Sequence, residues 1–145
     1  MSIIVWDGKR LAADRQWTSG NLIRTTTKIW RHGDILMGGA GTFWWLEALR
    51  NWVLTGMTPA KFPELKCTTD AVPHFWVINR SGAVAKFEDS PYPLTCNDPF
   101  FAEGSGRDFA YGALEMGADA VRAVEVACKY DNMCGGGVDV LTFED

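Results

Sequence analysis

The stretch GSGRDFAYGAL at residues 104–114, followed by DNMCGG at residues 131–136, carries the most information about the fold. A glycine-rich turn at residues 104–106 precedes residues 108–116, which are predicted to form a helix. A second helix has Asp119 as its N-cap and ends at the glycines 135–137. Its apolar stripe consists of small side chains, which allow close approach to neighbouring elements: Ala120, Ala123, Val124, Ala127 and Cys128.

Residues 138–143 are predicted to form a final strand, and the chain before residue 104 is predicted to form antiparallel hairpins. In the first hairpin, residues 3–6 and 11–13 flank the favoured turn Asp7-Gly8. The other two predicted hairpins pair residues 23–30 with 35–37, through a turn at 31–34, and residues 75–78 with 83–87, through a turn at 79–82.

One helix is predicted between these hairpins, starting after Thr42 and stopping at Gly56, on an apolar stripe of Trp45, Ala48, Leu49, Trp52 and Val53. Residues 14–21 are predicted to be a loop, and the glycines from Gly38 to Gly41 are predicted to end a strand. The remaining predictions are a helical turn and loop at 58–70, irregular chain around 91–99 and a short strand at 100–102. Grouped hairpins and helices indicate a layered α+β fold rather than an alternating α/β fold.

Length and composition limit the class of protein. The 145 residues predict one domain, 1–145, and 47% hydrophobic with 22% charged residues is ordinary for a globular chain. The net charge of −4 offers no basic face to nucleic acid or to an anionic membrane. No apolar run approaches the roughly 20 residues of a membrane span, and the start lacks a signal-peptide pattern. Seven tryptophans indicate more apolar surface than one core consumes, and hence a homo-oligomer.

Cysteine and histidine usage argues against metal and disulfide chemistry. The four cysteines form no C-x-x-C pair, so a reducing, cytoplasmic setting without a zinc site or disulfide framework is expected. Neither His32 nor His74 neighbours a serine or cysteine in a nucleophile-elbow motif. Neither has a second histidine at helical i, i+4 spacing with which it could bind a metal. The glycine-rich turns match neither a phosphate loop nor a dinucleotide fingerprint.

A less obvious nucleophile stands at the start of the chain. Removal of Met1 would make Ser2 the N-terminal residue, and its α-amine, with an ordinary pKa of about 7.7–8, can take the hydroxyl proton without a histidine. A nearby lysine would keep that amine neutral by like-charge repulsion, and a carboxylate would position the lysine. A serine at position 2 is by itself uninformative.

The combination of segments resembles proteasome β-subunits and the HslV peptidase. Residues 104–114 are similar to the segment that opens a central helix in that family, and residues 131–136 resemble its Asp-x-x-Ser-Gly-Gly motif. Residues 11–18 are similar to its Ala-Ala-Asp-Ser-Arg-x-Thr stretch, and Lys28 follows at nearly the family spacing. The resemblance covers most of the chain, least well at 56–72. It implies the N-terminal nucleophile hydrolase fold, a four-layer αββα sandwich of two antiparallel sheets.

The resemblance also implies a role for each matched residue. Ser2 would be the nucleophile, Lys28 the charge that tunes it, Asp14 the partner of Lys28, and Gly41 the oxyanion donor. The remaining assignments are Ser105, Asp131 and Cys134 in the network around the amine and water, and Thr18 and Gly39 as substrate-binding residues. No metal or organic cofactor is needed, the substrate would be a peptide or protein, and an ATPase unfoldase partner is left open.

Three departures from the family pattern keep other functions in view. The terminal residue is Ser rather than Thr, Cys134 replaces a serine, and the stretch after Gly56 leaves little room for a second helix. The leading prediction is a proteasome-like peptidase that acts through Ser2. The alternatives are a non-catalytic assembly protein and a small-molecule amidase.

Overall fold

The computed structural model describes residues 2–68 and 70–144, so Met1 lies outside the described residues. Within the described part there are eleven strands and three α-helices. The strands are β1 (Ile4–Trp6), β2 (Arg10–Asp14), β3 (Gln16–Ser19), β4 (Leu22–Thr25), β5 (Ile29–His32), β6 (Ile35–Ala40), β7 (His74–Asn79), β8 (Val84–Phe87), β9 (Leu94–Cys96), β10 (Phe101–Glu103) and β11 (Val138–Thr142). The helices are α1 (Phe43–Leu54), α2 (Arg107–Glu115) and α3 (Ala120–Tyr130), with a short 3-10 helix at Pro59–Lys61.

The first sheet has the order β10-β1-β2-β11, all antiparallel, and its central strand β1 is apolar and buried on both faces. Alternation along β1 assigns the two faces: Ile3 and Val5 pack in one cluster with α2 and α3, whereas Ile4 and Trp6 pack in another cluster with the second sheet. In the small stripe of α3, Ala120, Ala123, Val124 and Ala127 are fully buried against this sheet and Cys128 is partly buried. The Asp119 carboxylate caps the helix by accepting from the Arg122 N–H at 2.8 Å.

The second sheet has the antiparallel order β5-β6-β7-β8-β9. Leu36 and Ile78 share a buried cluster with the first sheet, and the alternate residues Met37 and Val77 share one with α1. The described residues therefore form a mixed fold in which antiparallel sheets pack with three helices.

The first and third predicted hairpins are confirmed as β1–β2 and β7–β8. The predicted loop at 14–21 is wrong, because residues 16–19 form β3. The second predicted hairpin is partly wrong, since residues 22–25 leave it and pair with β3 as a separate two-stranded sheet.

Three smaller predictions also need correction. Glycines 38 and 39 do not end a strand but lie inside β6, where a Cβ at Gly39 would meet the His74 carbonyl oxygen at 2.6 Å. The irregular region 91–99 contains β9. In α1 the residues Leu49, Trp52 and Val53 are buried as predicted, but Trp45 and Ala48 are only partly buried, and Leu46 is the buried residue of the first turn.

None of the described helices is long and apolar enough to cross a membrane. Among residues 2–68 and 70–144 no cluster of three or more His, Cys, Asp or Glu side chains is placed to hold a metal ion.

Candidate active site

The carboxylate of Asp14 is the organising group of the site. Asp14 ends β2 with its side chain fully buried, and each of its oxygens accepts two hydrogen bonds. Oδ1 accepts from the Ile3 N–H at 3.1 Å and from Lys28 Nζ at 2.6 Å. Oδ2 accepts from the Gln16 N–H at 3.2 Å and from the Gly135 N–H at 3.0 Å. A buried charge persists only when its hydrogen-bonding capacity is met, and these four donors meet it.

The Asp14–Lys28 ion pair predicted from the sequence is present in the structure, and it is buried. Lys28 is only 5% exposed, so the ammonium is held out of bulk solvent beside the carboxylate. Lys28 directly precedes β5 of the second sheet, whereas Asp14 belongs to the first. The pair therefore joins the two sheets next to the start of the chain.

Ser2 lies at this junction and is 7% exposed. Its carbonyl oxygen accepts from the Gly106 N–H at 3.3 Å and from Ser105 Oγ at 3.4 Å. The next residue, Ile3, donates its N–H to Asp14 and accepts from the Asp14 N–H at 3.1 Å. Backbone hydrogen bonds on both sides thus fix the position of Ser2.

Ser105, Asp131 and Cys134 form a polar group beside Ser2. Cys134 Sγ lies 3.8 Å from Ser105 Oγ and donates to Asp131 Oδ2 at 3.5 Å. Burial, together with the charge of Asp14, raises the pKa of the Cys134 thiol to about 12, so it stays protonated and is a donor rather than a thiolate. Burial opposes ionisation of Asp131, but hydrogen bonds from the Met133 N–H, Ser105 and Cys134 outweigh it and lower the Asp131 pKa.

A cleft of about 200 Å³ opens at Ser2 and Lys28. One rim comes from β3, and another comes from the turn and first residues of α1. Its lining is largely apolar and aromatic, as is usual for a binding pocket: Ser2, Gln16, Trp17, Thr18, Thr26, Lys28, Gly41, Thr42, Phe43, Trp44 and Leu46.

The predicted site residues are not all placed alike. Ser2, Lys28, Gly41 and Thr18 line the cleft, and Gly41 has the left-handed φ of +129° that suits glycine. Gly39 is not among the lining residues, because it packs inside β6 against Leu46 of α1. A substrate-binding role for Gly39 stays a prediction.

The sequence prediction missed Gln16. This residue is 7% exposed, lines the cleft, and donates from Nε2 to the Asn132 carbonyl at 3.1 Å. It thereby connects β3 to the turn that carries Asp131 and Cys134. The signal that was available is the alternation Asp14, Gln16, Thr18, which places three polar side chains on one face of an extended chain.

Comparisons with known proteins agree on the fold. The chain is similar to eukaryotic HslV from Trypanosoma brucei, with a TM-score of 0.67, 21% identity and 99% of both chains covered. It is also similar to BPH from Thiobacillus denitrificans, with a TM-score of 0.70, 17% identity and coverage of 99% of this chain and 97% of that one. A BPH structure in complex with epoxomicin gives a TM-score of 0.68 at 17% identity over 99% of both chains. No protein-family model and no curated protein matches the chain significantly.

The chain thus has the fold that eukaryotic HslV and BPH share. At these identities the likeness establishes the fold alone.

Proposed function

We propose that this chain is a proteasome-like N-terminal nucleophile hydrolase, which cleaves peptide or other amide bonds through Ser2 once Met1 has been removed. In this proposal residues 1–145 act as one domain, with α1, the two sheets and the α2–α3 pair stacked as four αββα layers. The observation that carries it is the buried Lys28–Asp14 pair, held at 2.6 Å beside a buried Ser2. Burying two charges is costly and gives little net stability, so a site of this kind is more readily explained by chemistry.

The mechanism follows from the chemistry of these groups. The Ser2 hydroxyl attacks the substrate carbonyl carbon while the freed α-amine takes its proton. The Lys28 charge disfavours protonation of that amine, which keeps it available as a base. The Gly41 N–H stabilises the oxyanion, the C–N bond breaks, and the ammonium gives its proton to the leaving amine. Water then hydrolyses the acyl-enzyme by the same route. Ser105, Asp131 and Cys134 hold the terminus in place, and Thr18 binds the substrate backbone.

The test compares the processed chain with variants of the proposed unit. Intact-mass spectrometry first establishes whether Met1 is removed from untagged protein. Ser2→Ala is expected to abolish peptide hydrolysis without changing the fold, because the hydroxyl contributes little packing. Lys28→Met is expected to abolish it as well, and the two losses should not add because both residues act in one unit. Ser81→Ala and Lys66→Ala, at a hairpin turn and an exposed loop, are the matched controls.

An N-terminal tag provides a second, independent arm. The tagged protein keeps the Ser2 hydroxyl but lacks the free amine, so its activity should fall as far as that of Ser2→Ala. Equal cleavage by tagged and processed protein would rule out the N-terminal mechanism. A processed protein that cleaves no peptide and reacts with no acylating probe would favour a non-catalytic assembly protein. That second candidate is supported by the apolar side chains on the described surface, such as Trp44 at 71% exposure.

A further inference from the structure

Glu103 is a buried carboxylate whose partners lie on the other sheet. It ends β10 of the first sheet and is 7% exposed. His74 Nδ1 lies 2.8 Å from Glu103 Oε1, and Lys86 Nζ lies 3.3 Å from the same oxygen. His74 and Lys86 belong to β7 and β8 of the second sheet. These contacts therefore cross from one sheet to the other.

The cluster contains an ion pair between Glu103 and Lys86. Burial by itself would raise the Glu103 pKa, but His74 and Lys86 together lower it below its usual value. Glu88 also faces the cluster, with Oε2 at 3.6 Å from His74 Nδ1. Replacing a buried ion pair with apolar residues is often neutral or stabilising, so stability alone gives no reason for this arrangement.

On the first sheet, Glu103 begins the segment that holds Ser2. Glu103 pairs with Ile4 across the β10–β1 ladder, and the next three residues approach the Ser2 carbonyl. A Cβ at Gly104 would collide with that carbonyl oxygen, and Ser105 and Gly106 both donate to it. Glu103 is thus connected to Ser2 through the three residues that follow it in the chain.

On the second sheet, His74 adjoins Gly41. His74 pairs with Ala40 at the end of β6, and Gly41 is the following residue. The two residues before His74 lie behind Gly41, since a Cβ there would meet Pro73 Cα at 3.4 Å and the Val72 carbonyl oxygen at 3.7 Å. Gly41, His74, Glu103 and Ser105 also line one surface pocket of about 350 Å³.

We propose that Glu103, with His74 and Lys86, is a positioning cluster that sets the spacing between the Ser2 nucleophile and the Gly41 N–H. This inference rests on the proposed function and adds a second cross-sheet pair to it. Lys28–Asp14 joins the sheets at the nucleophile, and Glu103–His74 joins them at the oxyanion donor. Misplacement of a reacting group by about 1 Å can cost roughly 10²-fold in rate, so a second tie has a direct kinetic consequence.

Two reactive probes of Ser2 can distinguish the positioning role of Glu103 from a purely structural role. With a β-lactone, Ser2 Oγ bonds to the carbonyl carbon, a carbonyl oxyanion forms, the ring C–O bond breaks and the ring oxygen takes the proton. With a peptide vinyl sulfone, Oγ bonds to the alkene carbon β to the sulfone, and the hydroxyl proton ends on the α carbon beside the sulfone. Both reactions need Ser2 and its amine, but only the first places an oxyanion on a carbonyl oxygen at Gly41.

We expect Glu103→Gln to slow β-lactone acylation by about tenfold, a fraction of the 10²–10³ that a lost oxyanion donor costs, and to leave vinyl sulfone addition unchanged. His74→Gln should reproduce this pattern, and the double variant should be no slower than either single one. The matched control is Asp34→Asn. It removes an ion pair at the opposite end of the second sheet from His74, where Asp34 Oδ1 lies 2.7 Å from Arg80 Nε. Its rates with both probes should equal those of the wild type.

The outcomes distinguish the two proposals. If both probes label wild-type Ser2 and the Glu103 and His74 variants slow with both equally, or with neither, the positioning role is wrong and the proposed function stands. If neither probe labels the processed wild type at Ser2, the proposed function fails and this inference fails with it. Circular dichroism checks each variant, and if Glu103→Gln does not fold, His74→Gln carries the same test, since that side chain is about one-third exposed.

Discussion

Cys134 places a thiol where it contacts both Ser105 and Asp131, and its protonation decides its chemistry. Burial and the nearby Asp14 charge raise its pKa to about 12, so almost no thiolate exists near neutral pH. We predict that Cys134 in the folded protein resists iodoacetamide, whereas the half-exposed Cys96 reacts. Peptide mapping of protein alkylated before and after unfolding measures this. Equal alkylation of both cysteines in the folded state would contradict the buried thiol network.

At the residue scale, some contacts were predictable from the sequence and others were not. The Asp14–Lys28 pair was predicted because its spacing resembles that of proteasome β-subunits and because an amine that acts as a base needs a cation beside it. The other donors to Asp14 were not, because Gly135 comes from the far end of the chain and returns only when β11 pairs with β2. Glu103 and His74 likewise meet only after the two sheets stack, and no sequence periodicity encodes that distance.

At the element scale, the strands that were predicted share a feature that β3 lacks. β1 is a run of buried apolar residues, and β7 has such a run at its centre, from Phe75 to Ile78, so length and turn signals identify both as strands. β3 pairs only with β4, all of whose residues are exposed, and its own Trp17 is 43% exposed. Without an apolar face no hydrophobic pattern could appear, so the strand that forms one rim of the cleft was taken for a loop.

Replacing Gly39 or Gly112 with alanine is expected to change the free energy of unfolding in opposite directions. A Cβ at Gly39 in β6 would lie 2.6 Å from the His74 carbonyl oxygen and 2.8 Å from Leu46 Cδ2, so Gly39→Ala forces β6 and β7 apart. A Cβ at Gly112 in α2 meets nothing within 4 Å. Gly39→Ala should lower the free energy of unfolding by about 1–3 kcal/mol through overpacking, and Gly112→Ala should raise it by about 0.5–1 kcal/mol through helix propensity.

Urea unfolding followed by circular dichroism measures both changes. The pair controls for loss of glycine flexibility, because both substitutions restrict the unfolded chain to the same extent. Stabilisation by Gly39→Ala would mean that β6 and α1 pack less closely than the structure shows.

At the scale of the whole molecule, the large apolar side chains on the described surface include two groups. One is the β3–β4 hairpin, with Leu22 at 53% and Ile23 at 63% exposure. The other lies at the end of α2 and on α3, where Met116 is 88% exposed and Tyr130 is 62% exposed. Contiguous apolar patches mark interaction sites, so we predict that the chain forms a homo-oligomer.

Light scattering coupled to size exclusion should give a mass that is a multiple of 16.1 kDa. Ile23→Lys and Tyr130→Lys test the two groups separately, and Glu115→Lys is a control for added positive charge on α2. A monomer at micromolar concentration would contradict the prediction. Loss of assembly with only one of the two lysine variants would identify which surface is used.

The buried carboxylate of Glu103 joins the two sheets, and its low pKa makes the stability of the folded chain fall in acidic solution. The folded-state pKa of Glu103 lies below its ordinary value of 4.5, because His74 and Lys86 outweigh the effect of burial. A group with a depressed pKa contributes stability above its unfolded-state pKa and loses it as pH falls through the folded-state value. We therefore predict that the contribution of Glu103 to the thermal midpoint is constant above about pH 5 and decreases in more acidic solution.

Glu103→Gln should melt lower than the wild type at neutral pH, and its midpoint should fall less on acidification because that carboxylate is gone. Thermal melts from neutral pH to about pH 3 measure both slopes. If the variant shows the full acid-dependent fall of the wild type, Glu103 does not contribute the cross-sheet ion pair on which the positioning role depends.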